Sequence, residues 1–572
     1  MSQAPDAPYD PYDQPPTFID RHQDWVWAAS VFLATVVLTV LAYPPNYPEF
    51  AYAFAVPAIF WAYLKPDFKL YAGTLAAAQA VAWTIMLGWL HHVTWFGLFL
   101  LGPFVGLWVG VWFLGAWWAM PRMIGRATPN RLIIMLGLAA LWVVLEWTRT
   151  WFLSGFPWMP LAATQWTMVS MLQVAAFTGS AGVSFMVIAV NIAFAAYAHR
   201  LFREGARGLN KRSQEFFLVL FLVLGCFCIH LVTAMNRKRF TVPLARVAFV
   251  QPYIPQSVKW DRSKAPAIMQ TIEDLTLRAG ATHPDLILWP EAVTPYAVKG
   301  QADMQHWTED VVARAGAAVL MGSVEIDKPG TPEETWRNGA FVIDPTSGLM
   351  PLSYAKRHLV PFGEYVPFRP LFGWLKKITD VGDGDFQPGK NASPLLVNSA
   401  SGPFTIGPLI CYEDIFSNLS RQSVIEGADV LAVVTNDAWY GEGAAAYQHA
   451  AHSVLRAVEM RRPVLRCGNG GWSGWIDEYG NICAELKRLP NGIVTTKVKL
   501  DPADKELDAG TVYFRGTTTV NITHDTRWIG KFSYYAEHGD WFVSLCTVLT
   551  TFAYFIAKLS KARQKPADEN VT

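Results

Sequence analysis

Hydrophobic and polar positions divide this chain into two kinds of segment. Before residue 237, seven apolar stretches follow one another at roughly 25–43, 49–64, 70–90, 96–119, 132–151, 170–198 and 215–235, and an eighth covers 541–558. Each approaches the ~20 residues that an α-helix needs to cross the hydrocarbon of a bilayer. Residues 237–540 follow a different pattern, in which short apolar runs alternate with longer stretches of helical periodicity. "RVAFVQ" (246–251), "DLILWPEA" (285–292), "AAVLMGSVEI" (317–326) and "GAFVIDP" (339–345) read as strands, and "FTIGPLICYE", "ADVLAVVTND" and "PVLRCGNGG" continue the series. Helical patterns at 264–280 and 446–461 lie between them. Short buried strands and helices without a uniform parallel βα repeat predict an α/β layered domain.

The predicted organisation is a disordered tail (1–24), a membrane domain with spans one to seven (25–236), a globular domain (237–540), an eighth span (541–558) and a second tail (559–572). Composition agrees. With 52% apolar and 16% charged residues, the chain is too apolar for a soluble enzyme and too charged for a pure transporter. The 25 tryptophans suit aromatic belts at two membrane interfaces. A net charge of +1 gives no global field for nucleic acid. Six cysteines with no CxxC and no His/Cys cluster argue against a zinc site or a disulfide framework. Residues 1–24 are rich in Pro, Asp and Tyr and contain no cleavable signal peptide.

Basic residues set the orientation. With the N-terminus inside, the inner segments carry Arg21, Lys65, Lys69, Arg122, Arg126, Arg131, Arg200, Arg203, Arg207, Lys211, Arg212, Lys558, Lys561, Arg563 and Lys565. The outer loops near 44–48, 91–95 and 152–169 carry no lysine or arginine. The positive-inside rule then places the globular domain outside the cytoplasm and both termini within it.

Three polar groups stand at or near the ends of apolar strands: Glu291 after "LILWP", Cys411 after "GPLI" and Lys356 in "SYAKRHLVPFGEYVPF". A free cysteine has a pKa of about 8.5 and needs help to react. A lysine ammonium nearby would lower that pKa; a glutamate could instead take the proton, leaving the lysine to stabilise an oxyanion with the backbone N–H after the cysteine. Glu413 and Asp414 beside Cys411 are tolerable if they point away. Each residue alone also has a plain structural reading, as buried packing for the cysteine and as a solvated charge for the lysine.

"WPEA", "KRHLVPFGEYVPF" and "ICYED", in this order, resemble the Glu–Lys–Cys triad of the carbon–nitrogen hydrolase (nitrilase) superfamily. Within it the chain resembles the apolipoprotein N-acyltransferases over nearly its whole length. "SGFPW" (154–158), "GVSF" (182–185), "VQPYIPQSVKW" (250–260), "TNDAWYG" (435–441) and "QHAAHSVLRAVEMRRPVLR" (448–466) support this. The resemblance implies a polytopic α-helical bundle of about eight spans carrying an extracytoplasmic, nitrilase-like αββα sandwich. It implies a monomer of the inner membrane with a periplasmic catalytic domain. It further implies that Cys411 takes an acyl chain from a phospholipid as a thioester, with Glu291 as general base and Lys356 steadying the oxyanion. The α-amine of a diacylglyceryl apolipoprotein cysteine would then accept the chain, with no cofactor or metal.

The same resemblance gives Glu364 a role in supporting Lys356, assigns Tyr412 and Glu413 to the site as part of "CYE", and brings Trp260 near it. For these residues the alternatives are a surface acid, strand-end packing and core packing respectively. Trp439 reads either as a loop residue over the site or as an aromatic dipping into the membrane. Glu146 and Arg149 invite a headgroup-binding role, although their i,i+3 spacing also allows them simply to pair. His91 and His92 read as interfacial, and Cys467 and Cys483 as free thiols. Departures from the family pattern are "NGGWS" (469–473), which adds Trp472 and bears on the acyl or acceptor pocket, "WRNGAF", with Arg337 and Gly339, and a polar stretch at 516–533 expected to be a plain loop. The rival readings are a membrane-anchored nitrilase-type amidase using water as acceptor, and a non-enzymatic transport or scaffold protein.

Overall fold

The computed structural model describes residues 22–204, 212–367, 386–498, 507 and 509–559. Most of both predicted tails, and Arg21, Arg207, Lys211, Lys561, Arg563 and Lys565 of the inner basic set, lie outside these residues.

In lipid a backbone can satisfy its polar groups only internally, so long apolar segments become helices. Among the described residues six helices are long and apolar enough to cross a membrane: Gln23–Ala42, Trp95–Met123, Thr128–Thr148, Ser180–Arg203, Gln214–Phe240 and Trp541–Leu559. A further helix, Phe68–Met86, is capped by Asp67, which accepts from the Leu70 N–H at 3.0 Å, and packs along Trp95–Met123.

Two expected spans differ. The stretch 49–64 is a 3-10 turn, Pro48–Tyr52, followed by the eight-residue helix Val56–Tyr63. At 1.5 Å per residue that helix covers about 12 Å, well short of the hydrocarbon core. Pro57 fixes its start, and Lys65 with φ 55° before Pro66 ends the segment. The stretch 170–198 is broken at Gly179 (φ 69°), so only Ser180–His199 forms a long helix, with the short turns Val169–Leu172 and Ala175–Thr178 before it.

The globular part is a four-layer sandwich. One six-stranded sheet has the order β14-β1-β2-β3-β4-β5: β1 Thr241–Gln251, β2 Leu286–Leu288, β3 Ala318–Asp327, β4 Thr335–Asp344, β5 Gly348–Ala355 and β14 Gly516–Asp525. The other has the order β11-β10-β9-β8-β7-β6: β6 Leu395–Ser399, β7 Gly402–Ile410, β8 Val430–Thr435, β9 Val464–Gly468, β10 Gly474–Ile476 and β11 Ile482–Glu485. A small ribbon, β12 Lys487–Arg488 with β13 Val494–Thr495, completes the strands. Pairing is parallel at β1–β2–β3 and at β7–β8–β9 and antiparallel at the edges.

Val247, Phe249, Leu286, Leu288 and Leu320 of the first sheet meet Val397, Ile406, Val430, Ala432 and Leu465 of the second in one buried layer. The outer face of the first sheet is covered by Ala265–Gly280 and Ala302–Ala315. The outer face of the second is covered by Ser417–Ile425 and Ala444–Met460, and this layer is continuous with the interior of the membrane bundle.

The polar stretch 516–533 is not a plain loop. Its first ten residues form β14, an edge strand in antiparallel register with β1 from Thr241↔Asp525 to Gln251↔Gly516. Threonines, with Val520 and Ile522, suit a half-exposed edge, which explains why a polar composition conceals a strand. Trp472 is fully buried in the layer shared with the membrane bundle.

Candidate active site

Three strand ends converge at one rim of the sandwich, where groups that follow the carboxyl ends of parallel strands tend to meet. β2 leads through Trp289 and Pro290 to Glu291, β5 leads directly into Lys356, and β7 leads directly into Cys411. Gly322 on β3 permits the first approach, since a Cβ there would lie 2.7 Å from the Glu291 Cα. Cys411 begins the 3-10 turn Cys411–Ile415 with φ 51°, a left-handed conformation that costs a non-glycine residue roughly 1–3 kcal/mol.

The sequence-predicted triad is brought together. Lys356, 1% exposed, donates to Glu364 Oε1 at 2.9 Å and lies 3.5 Å from Glu291 Oε1. Burial opposes its charge, but Glu364, Glu291 and Cys411 hold its pKa above the ordinary lysine value. Burial pushes the Cys411 thiol well above the usual range; the Glu291 charge adds to this, while Lys356 and the Thr435 hydroxyl pull against it. Cys411 is therefore held as a thiol, and to react as a nucleophile it would need a base.

Asn338 was not anticipated, although it lies in the quoted "WRNGAF" between the two residues singled out there. Its Nδ2 donates to Glu291 Oε1 at 2.8 Å and to Glu364 Oε1 at 2.9 Å, so one amide aligns both carboxylates. Lys259 was also missed. It is 2% exposed and donates to the Glu291 carbonyl at 3.2 Å. Trp260, read from sequence either as a residue near the site or as packing, is 52% exposed, its ring 5.7 Å from the Lys259 ammonium. Trp439 is 38% exposed in the turn Asp437–Tyr440. Among the described residues, neither tryptophan makes a hydrogen bond to the triad.

The acids beside the cysteine are engaged internally. Glu413 accepts from the N–H groups of Ile410 (2.8 Å), Arg357 (2.6 Å) and His358 (3.2 Å) and from the Tyr354 hydroxyl (2.6 Å). It thereby ties the cysteine turn to the segment after Lys356. Asp414 lies 3.0 Å from Arg466 and 2.9 Å from His449. Tyr412 donates to the Gly155 carbonyl at 3.0 Å, a direct link to a loop of the membrane domain.

That loop accounts for the intramembrane charges. Glu146 accepts from the Leu161 N–H (2.7 Å) and the Ser184 hydroxyl (2.6 Å). Arg149 donates to the carbonyls of Phe156 (3.4 Å) and Trp158 and lies over the Trp83 ring. The two side chains thus organise residues 155–161 rather than bond to each other. His92, in the turn Gly88–His92, packs against Gly441, next to the turn that holds Trp439. Arg337 pairs with Asp327 at the surface. Cys467 lies against the Val250 and Leu288 carbonyls and Cys483 beside Arg237 and Asp477, both as free thiols.

An αββα sandwich with Glu, Lys and Cys at its strand ends, fused to a membrane bundle, defines a membrane-bound acyl-transfer enzyme of the nitrilase class. Residues 246–505 match the carbon-nitrogen hydrolase family, and residues 35–193 match the apolipoprotein N-acyltransferase N-terminal domain. The apolipoprotein N-acyltransferase of Geobacter metallireducens is 33% identical over 383 residues, covering 66% of this chain and 71% of the relative. That of Pseudomonas aeruginosa is 32% identical over 365 residues, covering 64% and 67%. Among solved structures, an amidase from Nesterenkonia sp. aligns at 18% identity and a TM-score of 0.34, over 50% of this chain and 92% of that one. The chain belongs to the apolipoprotein N-acyltransferase family and is an acyltransferase.

Proposed function

We propose that Cys411 carries an acyl chain from a phospholipid to the α-amine of the S-diacylglyceryl cysteine of an apolipoprotein, with Glu291 as base and Lys356 as oxyanion partner. The observation that carries this reading is the joint placement of Glu291, Asn338, Lys356 and Glu364 around a buried cysteine in strained backbone. In the first half-reaction Glu291 takes the thiol proton as sulfur attacks the ester carbonyl. Lys356 and the Tyr412 N–H face the oxyanion. Its collapse breaks the C–O bond, and the proton on Glu291 passes to the departing lysophospholipid oxygen. In the second half-reaction the neutral amine attacks the thioester. A C–N bond replaces the C–S bond, and Glu291 relays the amine proton to the sulfur, restoring the thiol.

Glu364 and Glu413 hold Lys356 and its loop in place, and Tyr412 ties the nucleophile to the membrane domain. Trp260 and Trp439 form the rim against which the lipid substrates pass. The inner basic set supports an orientation with both termini cytoplasmic and the catalytic domain periplasmic; this needs an odd number of crossings before the domain, so the turn Pro48–Tyr52 and the helix Val56–Tyr63 cross together as one segment. The family relationship supports the inner membrane as its site, and we read the chain as a monomer.

Intact-protein mass after incubation with a defined phospholipid tests the reading, with Cys411→Ala alongside. The expected result is an added acyl mass that hydroxylamine removes, that a diacylglyceryl peptide clears, and that the variant lacks. No acyl mass, together with no lysophospholipid released in the presence of acceptor, would overturn it.

A further inference from the structure

Behind Cys411 lies a fully buried ionic cluster that the triad chemistry does not use. His449, on the helix Ala444–Met460, stands between two carboxylates: Nδ1 is 2.9 Å from Asp437 Oδ1, and Nε2 is 2.9 Å from Asp414 Oδ1. Arg466 on β9 bridges the same two acids, 3.0 Å from Asp414 Oδ2 and 3.0 Å from Asp437 Oδ2. The Ser453 hydroxyl donates to Asp414 at 2.6 Å. Two cations thus balance two anions with no solvent contact. The acceptors on both sides of the imidazole have no proton to give, so both ring nitrogens must donate, and His449 is a cation. Burial and Arg466 oppose that charge, but the two carboxylates hold the His449 pKa above its ordinary value.

The Nε2–H is shared: beside Asp414 Oδ1 at 2.9 Å it also reaches the Cys411 carbonyl, at 3.2 Å. That carbonyl belongs to the peptide whose N–H is Tyr412. In a planar trans peptide the C=O and N–H point in opposite directions, so fixing one aims the other. No carbonyl among the described residues accepts from the Tyr412 N–H. The φ of 51° at Cys411 means that this peptide sits where a non-glycine backbone does not rest unaided.

We propose that His449 is a positioning residue for the oxyanion: by donating to the Cys411 carbonyl it aims the Tyr412 N–H at the oxygen that becomes the oxyanion. This rests on the reading of Cys411 as the nucleophile. His449 touches no substrate atom and acts only through the orientation of one peptide. Asp414 and Asp437 keep it cationic and in register, and Arg466 keeps them ionised.

The test compares two reactions of one sulfur. Acyl transfer from phospholipid builds an oxyanion, whereas alkylation by iodoacetamide, a displacement at saturated carbon, does not. His449→Gln places an amide N–H near the Nε2 position, while His449→Asn reaches only the Nδ1 position. His449→Asn is expected to slow thioester formation roughly 10²-fold, the scale of losing one oxyanion donor. His449→Gln should recover much of that loss, and both should retain Cys411 alkylation within a few-fold of the wild type. Equal loss of alkylation and acylation would mean that His449 merely holds the fold, and unchanged acylation in His449→Asn would remove its role; either overturns the proposal. Should His449→Asn not fold, a selective loss of acylation over alkylation in His449→Gln supports the proposal, and parallel loss overturns it. A wild-type protein neither alkylated at Cys411 nor acylated by phospholipid refutes the nucleophile reading instead.

Discussion

Glu364→Gln removes one negative charge beside the reacting groups at almost constant size. Glu364 Oε1 accepts from Lys356 (2.9 Å) and Asn338 (2.9 Å), and Oε2 accepts from the Val360 N–H (2.8 Å). A glutamine that keeps its oxygen toward Lys356 turns its NH2 toward the Val360 N–H, donor against donor. Lys356, 1% exposed, is then left with Glu291 at 3.5 Å as its remaining carboxylate. Removing one partner of a buried ion pair costs about 3–5 kcal/mol, and the surviving counter-charge favours the lower end. The ammonium settles on Glu291, and a carboxylate committed to one cation is a poorer acceptor for the Cys411 proton. Since about 1.4 kcal/mol is tenfold in rate, some 3 kcal/mol predicts roughly 10²-fold slower acylation. Rapid-quench measurement of thioester formation from phospholipid in mixed micelles reads this directly, with thermal unfolding in the same detergent as control. Acylation within a few-fold of the wild type, in a variant whose Tm has fallen, would show that Glu364 stabilises the fold without holding Lys356 for the reaction.

Asn338→Leu leaves Glu291 and Glu364 without their common donor; hydrogen bonds to charged groups are worth about 1.5–3 kcal/mol, so acylation should slow roughly 10- to 10²-fold, measured by the same rapid quench. Lys259 gives a pH signature. Burial pulls its pKa from 10.5 down to about 8, against the raising effect of the Glu291 and Cys411 charges. With the folded pKa below the unfolded one, the unfolded chain binds more protons between those values, so Lys259 destabilises the fold below about pH 8 and the penalty fades as pH rises toward 10.5. At pH 7 that penalty is roughly 3 kcal/mol. Lys259→Met should therefore be the more stable protein at pH 7, with the gap closing by pH 10; a gap in Tm that is constant across this range would contradict it.

What the sequence makes legible follows from how local each signal is. The long spans are visible because twenty apolar residues in a row have few other uses, and Glu291 and Cys411 are visible because each directly follows an apolar strand. The segment 49–64 misleads because Pro48 just before it and Pro57 within it each start a new short element, a 3-10 turn and one short helix. β14 is hidden because an edge strand needs only a half-buried face, which threonine supplies without looking apolar. Asn338 has no local signature: its partner Glu291 lies 47 residues away and is brought to it by the pairing of β2, β3 and β4. Lys259 and Trp260 are adjacent on a short turn, and only the fold decides that the lysine turns inward while the tryptophan faces out. Glu146 and Arg149 lie at pairing distance along one helix, yet a tertiary loop offers each of them better partners.

The membrane bundle does more than anchor the sandwich. One buried apolar layer runs from Val187 and Ile188 of a spanning helix, through Leu172 and Trp158, to Val454 and Val458 and on to Leu431 and Val433 of the second sheet. Polar bonds stitch the same boundary. Gln448 accepts from the indoles of Trp89 (3.1 Å) and Trp158 (3.0 Å) and donates to the Met86 carbonyl (3.1 Å). Glu459 accepts from the Ser180 N–H at 2.7 Å, at the start of the Ser180–His199 helix. Severing the two parts would expose that apolar face, leave Gln448 without its partners and remove the Ser180 N–H from Glu459 Oε1, each lost bond costing about 1–3 kcal/mol. The helix that carries Gln448 and Glu459 also carries His449 against the Cys411 carbonyl, and Tyr412 bonds the Gly155 carbonyl of the membrane loop. The backbone of Cys411 and Tyr412 is therefore held from both sides, by the sandwich and by the bundle.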